Sequence, residues 1–175
     1  ALTGARQTGK TSTLRRLFPH YSFVSLDLPS EAEQAEKDPA GFLHRHPPPV
    51  IIDEVQYAPA LFRHLKALVD AARSQNGRFL LTGSQRFTLM KGISESLAGR
   101  VDLVELETLS LSEIQTALPD TAMLESIVRG GFPELYANPD IDAVSFYNSY
   151  LATYLERDIR ALAHAGSLRD FERFL

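Results

Sequence analysis

The 175-residue chain contains no cysteine. Disulfide bonds, thiolate chemistry and cysteine-based zinc sites are therefore excluded, which fits a cytoplasmic location. The sequence also lacks an apolar run of the roughly 20 residues that a membrane span requires. Its start shows no signal-peptide pattern. We therefore predict neither a membrane protein nor a secreted, disulfide-stabilised one.

An excess of basic residues is missing as well. Lysine and arginine number 18 against 22 aspartates and glutamates, which gives a net charge of −4. This balance does not support a large nucleic-acid-binding face, although a local basic patch stays open. Hydrophobic residues make up 44% of the chain, enough for a real core. The length suits one domain, or one domain and the start of another.

In the first part of the chain, short apolar runs alternate with amphipathic stretches, which predicts βαβ units and a parallel sheet. The first helix is expected from Lys10 to Phe18, with Leu14, Leu17 and Phe18 on one face. The charged stretch Ser30–Lys37 favours a helix, and a further helix is expected to begin near Pro59. Because only three residues precede the glycine-rich loop, we expect the first strand to be truncated. The other predicted strands are Tyr21–Leu26, Val50–Ile52, Arg78–Thr82 and Val101–Leu106.

The pattern changes near Leu106 from strands and helices to helices alone. Ser110 and Glu113 have the spacing of a capping box. A short helix is predicted over Thr121–Arg129 and a long one over Asp140–Ala163. We therefore expect a core over residues 1–107 and a small helical subdomain over residues 108–175.

The strongest motif is GARQTGKT, from Gly4 to Thr11, which matches G-x-x-x-x-G-K-[ST] at every fixed position. Such a loop aims its backbone N–H groups at phosphate oxygens, and the helix that follows adds its positive end. Lys10 is predicted to bridge the β- and γ-phosphates, and the Thr11 hydroxyl to ligate Mg²⁺. The alternative is a glycine-rich turn without a ligand. The predicted nucleotide-binding residues are Gly4, Ala5, Arg6, Gln7, Thr8, Gly9, Lys10, Thr11 and Ser12.

A second motif, VIIDE, ends an apolar strand in two acidic residues. Asp53 is predicted to hold Mg²⁺, directly or through water, and Glu54 to act as general base for the attacking water. Taken alone, the pattern also fits an acidic helix cap. Glu54 favours hydrolysis, because a small-molecule kinase takes its nucleophile from the substrate and does not need this glutamate.

A third motif, LLTGSQ, places polar residues at the end of another strand. We predict that Ser84 contacts the γ-phosphate or the attacking water, with Thr82 as the second candidate. An ordinary polar turn between a strand and a loop is the alternative.

These motifs, in this order, resemble the AAA+ superfamily of ATPases. Together LTGARQTGKTS, VIIDEVQYAP, LLTGSQ, LAGRV, GGFPE and YLERDI resemble one prokaryotic AAA-type ATPase family, whose members carry a C-terminal domain of unknown function. The resemblance implies an α/β, ASCE-type P-loop core with helices on both faces of a parallel sheet. It implies that the sensor strand lies between the two Walker strands. It also implies that residues 108–175 form an all-α lid and the start of a C-terminal domain.

The resemblance suggests three further sites. Arg100 lies where AAA+ proteins often place an arginine finger for a neighbouring subunit, which would require a homo-oligomer; a surface arginine is the alternative. The GGFPE segment, Gly130–Glu134, resembles an element near the adenine or the lid hinge. A helix end followed by a helix start is the alternative. Arg157 or Arg160 is a candidate lid sensor, with structural ion pairs as the alternative.

The sequence thus predicts a protein that binds ATP with Mg²⁺ and hydrolyses it to switch its lid and the downstream domain. Two alternatives stay open. One is a nucleotide-dependent switch with negligible turnover that recruits protein or DNA. The other is a P-loop kinase that phosphorylates a small molecule.

Overall fold

A computed structural model describes residues 1–84 and 86–154 of the chain. The chain divides into two compact units, Ala1–Leu109 and a second unit that begins at Ser110. Among the described residues, every helix is too short or too polar to cross a lipid bilayer.

Five parallel strands form the sheet of the first unit. They are β1 (Leu2–Thr3), β2 (Ser22–Ser25), β3 (Val50–Asp53), β4 (Phe79–Gly83) and β5 (Val104–Glu105). Their spatial order is β2-β3-β4-β1-β5. The strand that carries the LLTGSQ motif, β4, therefore lies between the strands of the two Walker motifs, β1 and β3. The order implied by the family resemblance is confirmed.

Helices cover both faces of this sheet. They are α1 (Lys10–Leu17), α2 (Pro29–Lys37), α3 (Pro39–Arg45), α4 (Leu61–Asp70) and α5 (Arg86–Ser96). Successive side chains of a strand point to opposite faces, so Val50 and Ile52 of β3 join the larger apolar cluster, to which α2 to α5 contribute. Ile51 lies between them in sequence and packs instead with Leu2 and with Leu14 of α1. A 3₁₀ turn, Val55–Tyr57, follows β3.

Two helices, α3 and α5, were not predicted. Asp38 ends α2 and also caps α3, since its side chain accepts a hydrogen bond from the backbone N–H of Gly41 at 2.9 Å. Pro39 takes the first position of α3, where a missing N–H costs nothing. The sequence Asp38-Pro39 therefore already indicated the start of a helix. In α1, Leu14 is buried on the predicted face, whereas the exposed fraction of Leu17 on that face is 64%.

Four helices form the described part of the second unit. The capping box predicted at its start is present: Ser110 Oγ accepts from the Glu113 N–H at 3.3 Å, and Glu113 Oε2 accepts from the Ser110 N–H at 2.8 Å. Arg157 and Arg160 lie outside the described residues. The helices are α6 (Leu111–Ala117), α7 (Met123–Arg129), α8 (Pro133–Ala137) and α9 (Ala143–Tyr154).

The Gly130–Glu134 segment joins two of these helices. Gly130 ends α7 with a φ of +77°, and Pro133 begins α8. Between them, Phe132 packs its ring 4.8 Å from that of Tyr150 and 5.4 Å from that of Phe146, measured between centroids. The shape of this segment thus follows from local structure: it ends one helix, begins the next and places Phe132 in an aromatic cluster of its own unit.

Phe42 tests the larger apolar cluster, because its side chain is fully buried there on α3. We expect Phe42→Ala to lower the free energy of unfolding by about 3–5 kcal/mol, from lost burial and the cavity left behind. Urea unfolding measures this change. The matched control, Leu17→Ala on exposed surface, should cost less than about 1 kcal/mol. Equal costs for the two variants would contradict the assigned core.

Candidate functional site

The loop between β1 and α1 folds tightly over the Lys10 side chain. The Lys10 ammonium donates to the carbonyl oxygens of Gly4 at 3.0 Å and Ala5 at 2.5 Å, and Thr8 Oγ1 donates to Ala5 at 3.0 Å. A Cβ atom on Gly4 would lie 2.2 Å from the carbonyl oxygen of Leu106, so only glycine fits there. The loop is thus built as a closed backbone turn at the start of a helix.

A cavity of about 350 Å³ opens beside this loop. Six of the nine predicted nucleotide-binding residues line it, and the other three, Gly4, Ala5 and Thr8, make the internal bonds of the loop. The Glu54 side chain also lines it, as does Asp27, which follows β2. The six are Arg6, Gln7, Gly9, Lys10, Thr11 and Ser12.

Lys10 is one of two cations among the described residues that line this cavity, beside Arg6, and only 6% of it is exposed. Burial is the largest influence on the pKa of its ammonium group and lowers that pKa; the charges of Glu54 and Asp53 oppose the shift. The described residues give the ammonium two carbonyl oxygens. A phosphate oxygen carries more negative charge than a carbonyl and is a stronger partner for the ammonium.

Asp53 is held at the end of β3 by hydroxyl groups from three different elements. Thr11 Oγ1 of α1 donates to Asp53 Oδ1 at 2.6 Å, and Thr82 Oγ1 of β4 donates to the same oxygen at 2.7 Å. Ser25 Oγ of β2 donates to Asp53 Oδ2 at 3.0 Å. The structure therefore brings the two predicted metal ligands, Thr11 and Asp53, into direct contact.

Glu54 follows in a left-handed backbone conformation, with φ 55° and ψ 46°. This conformation is uncommon for a residue with a side chain and is often found at functional sites. Its N–H donates to Thr82 Oγ1 at 3.0 Å. Its Oε2 accepts from Ser84 N at 3.1 Å, from Ser84 Oγ at 2.9 Å and from Gln56 Nε2. The residue predicted as base is thus fixed at both its backbone and its carboxylate.

Three residues of this site were missed or ranked too low. Ser25 pairs in register with Asp53, because the ends of parallel strands meet at one edge of the sheet. The position of Ser25 at the end of a predicted strand was the sequence signal that could have identified it. Gln56 was not singled out at all. Thr82, predicted as a second candidate for the γ-phosphate contact, is fully buried and bonds Asp53 and Glu54 instead.

Arg100 precedes β5 in the chain and pairs with a residue of α4. Its Nε donates to Asp70 Oδ1 at 2.7 Å, at the end of α4 where the chain approaches the start of β4. This hydrogen bond is the main cause that lowers the pKa of the Asp70 carboxyl group. An ion pair within the chain thus accounts for the position of Arg100, and its action on a neighbouring subunit stays a prediction.

The oxygen atoms of Thr11 and Asp53 suit Mg²⁺, which prefers hard oxygen ligands. Within residues 1–84 and 86–154, no three His, Asp or Glu side chains are arranged to hold a metal by themselves. Such a small protein contribution is typical of Mg²⁺ that also binds substrate phosphates and water. The residues present therefore fit a metal ion that arrives with a nucleotide.

Two family models match the chain. The model of an AAA domain matches residues 1–115, and that of a domain of unknown function, DUF8612, matches residues 120–175. The chain is also similar to uncharacterized protein Mb2031c of Mycobacterium bovis and to uncharacterized protein Rv2008c of Mycobacterium tuberculosis. Each is 39% identical over 166 residues, which cover 92% of this chain and 36% of the relative. The chain thus spans about a third of the length of the curated relatives it matches.

Thr82 links both acidic residues, so its hydroxyl should matter for stability. Thr82→Val keeps the shape but leaves the Glu54 N–H unpaired and removes one donor from Asp53. We expect a loss of about 2–4 kcal/mol in the free energy of unfolding, measured with urea. Thr116→Val is the control, because that hydroxyl lies on the exposed surface of α6. The hydroxyl would be dispensable if both variants lost the same amount.

Proposed function

The chain belongs to the AAA domain family, and from this premise we propose that it binds ATP with Mg²⁺ and hydrolyses the ATP. The resemblance drawn from the motifs is confirmed by the two matching family models. Family membership supports a nucleotide-binding, ATPase-like function in general. Hydrolysis, the roles of individual residues and the use made of the energy are our proposals.

One observation carries the proposal: two pairs of adjacent residues, 42 positions apart in sequence, come together beside one cavity. Lys10 and Glu54 line the cavity beside the loop, and Thr11 at its wall contacts Asp53 at 2.6 Å. A cation, a hydroxyl–carboxylate pair and a second carboxylate are the groups that phosphoryl transfer to water requires. A glycine-rich turn without a ligand would not need them together.

Binding follows from the loop and the helix behind it. The amide groups and the positive end of α1 favour an anion at this point, and the cavity admits one. Lys10 would exchange its carbonyl partners for phosphate oxygens. Thr11 and Asp53 would hold the metal, which would neutralise charge on the β- and γ-phosphates.

Hydrolysis requires a base beside the γ-phosphate. Glu54 would accept a proton from water while the water oxygen attacks the γ-phosphorus, and the bond from that phosphorus to the bridging oxygen of ADP breaks. Its bonds to Ser84 support this role, because they fix the direction of the carboxylate. We propose that Ser84 contacts the γ-phosphate. Its hydrogen bonds to Glu54 would then couple the presence of that phosphate to the position of the base.

The energy is proposed to switch a helical lid, residues 108–175, and a domain further along the chain. The relatives are longer than this chain, which covers 36% of each, and this leaves room for a further domain in them. We propose a cytoplasmic protein and, if Arg100 serves a neighbouring ATP, a homo-oligomer. The net charge of −4 does not support nucleic acid as a partner of this part of the chain.

Lys10→Ala tests nucleotide binding. The variant removes the only side-chain cation proposed to bridge the phosphates, so we expect no measurable ATP binding in the full-length protein. Isothermal titration calorimetry measures the affinity. Lys37→Ala is the matched control, because Lys37 pairs with Glu33 on the exposed face of α2. An affinity of Lys10→Ala equal to that of the wild type would remove the proposed site.

Glu54→Gln tests hydrolysis separately. Glutamine keeps the size and an acceptor for Ser84 but cannot take a proton, so we expect kcat to fall by about 10²- to 10⁴-fold with ATP affinity retained. Phosphate release without any acceptor substrate measures kcat. Glu125→Gln, on the exposed surface of α7, should leave kcat unchanged.

The same measurements separate the alternatives. A protein that binds ATP, turns over negligibly as wild type and keeps its partner response in Glu54→Gln would be a binding switch. Strict dependence of ADP release on an added small molecule would instead indicate a kinase.

A further inference from the structure

Gln56 is a buried polar residue to which neither the motifs nor the comparisons give a role. It lies in the 3₁₀ turn two residues after Glu54, and only 4% of it is exposed. Its Nε2 donates to Glu54 Oε2. Its Oε1 is buried and has no hydrogen-bond partner among the described residues. One half of the amide group thus bonds the proposed base, and the other half is unpaired.

An unpaired buried acceptor makes glutamine an expensive choice at this position. An unbranched apolar side chain of similar length, such as methionine, would fill the space without that cost. Rotating the amide group would not help, because its oxygen would then face a carboxylate oxygen. The amide is therefore explained by its one bond, a charge-assisted hydrogen bond to Glu54.

The neighbouring strand leaves room for this amide. A Cβ atom on Gly83, the last residue of β4, would lie 2.7 Å from Gln56 Oε1 and 2.9 Å from Leu89 Cδ2. A side chain at position 83 would therefore displace the amide or the leucine. The absence of a side chain at Gly83 therefore leaves the space that the Gln56 amide occupies beside the Glu54 carboxylate.

From this geometry we propose that Gln56 is a positioning residue that aims the Glu54 carboxylate at the attacking water. Gln56 Nε2 and the two Ser84 donors meet at Oε2. Glu54 Oε1 is then the oxygen left to accept the proton. Gln56 and Ser84 hold the carboxylate from two elements, the 3₁₀ turn and the end of β4, so the carboxylate cannot swing freely. The inference rests on the proposed hydrolysis and adds a residue to it.

Gln56→Met and Gln56→Glu, made in the full-length protein, test this role. Methionine removes the donor at nearly constant shape, and we expect kcat to fall by about ten- to a hundredfold. Glutamate replaces the donor with a like charge and should lower kcat further. The KM for ATP and the affinity for a non-hydrolysable ATP analogue should stay within about twofold of the wild type.

Stability distinguishes positioning from a structural role. Because methionine also removes the unpaired acceptor, the urea midpoint of Gln56→Met should stay near that of the wild type while kcat falls. Gln75→Met, on exposed surface after α4, is the control and should change neither quantity.

Three results would overturn the inference: an unchanged kcat in Gln56→Met, a raised kcat, which would make Gln56 a restraint on the base, or a parallel loss of stability and analogue affinity. A wild-type protein that binds ATP without turnover would overturn the proposed hydrolysis and this inference together. In that case the affinity measurement still stands, so the two failures are distinguishable.

Discussion

The carboxylate of Asp53 is the interaction on which the site depends. Hydroxyls of Thr11, Ser25 and Thr82 reach it from α1, β2 and β4, so one buried group joins three elements at one edge of the sheet. Burying a carboxylate is costly unless hydrogen bonds compensate it, and these three do so. The P-loop helix is therefore fixed relative to the sheet by the same group that is proposed to meet the metal.

The strand order makes this arrangement possible. Because β4 lies between β3 and β1, Thr82 stands beside Asp53 and can also accept from the backbone of Glu54. The left-handed conformation of Glu54 carries a strain of about 1–3 kcal/mol. Bonds to Thr82 and Ser84 offset that strain. A different strand order would leave Glu54 without these partners.

The sequence predicted the groups whose spacing is local and missed those whose partners are set by register. The loop from Gly4 to Thr11 needs only consecutive residues, so its motif identified it. Asp53 followed from an apolar strand that ends in acid. Ser25 contacts Asp53 only because β2 pairs with β3 in one particular register, so its place at a strand end indicated the edge of the sheet but not its partner. The helix α5 was missed because its glycine and mixed polarity give a weak helical pattern.

Polar residues concentrate where the strands end. Val50, Ile51 and Ile52 are fully buried and apolar, and the next residue along β3 is the carboxylate. The buried residues Thr82 and Gln56 extend this polar edge, although an apolar edge would be cheaper to fold. In Gln56 the cost is visible, since its carbonyl oxygen has no partner in the described part of the chain. Folding alone gives no reason for such a residue, whereas the need to fix a carboxylate beside the cavity of about 350 Å³ does.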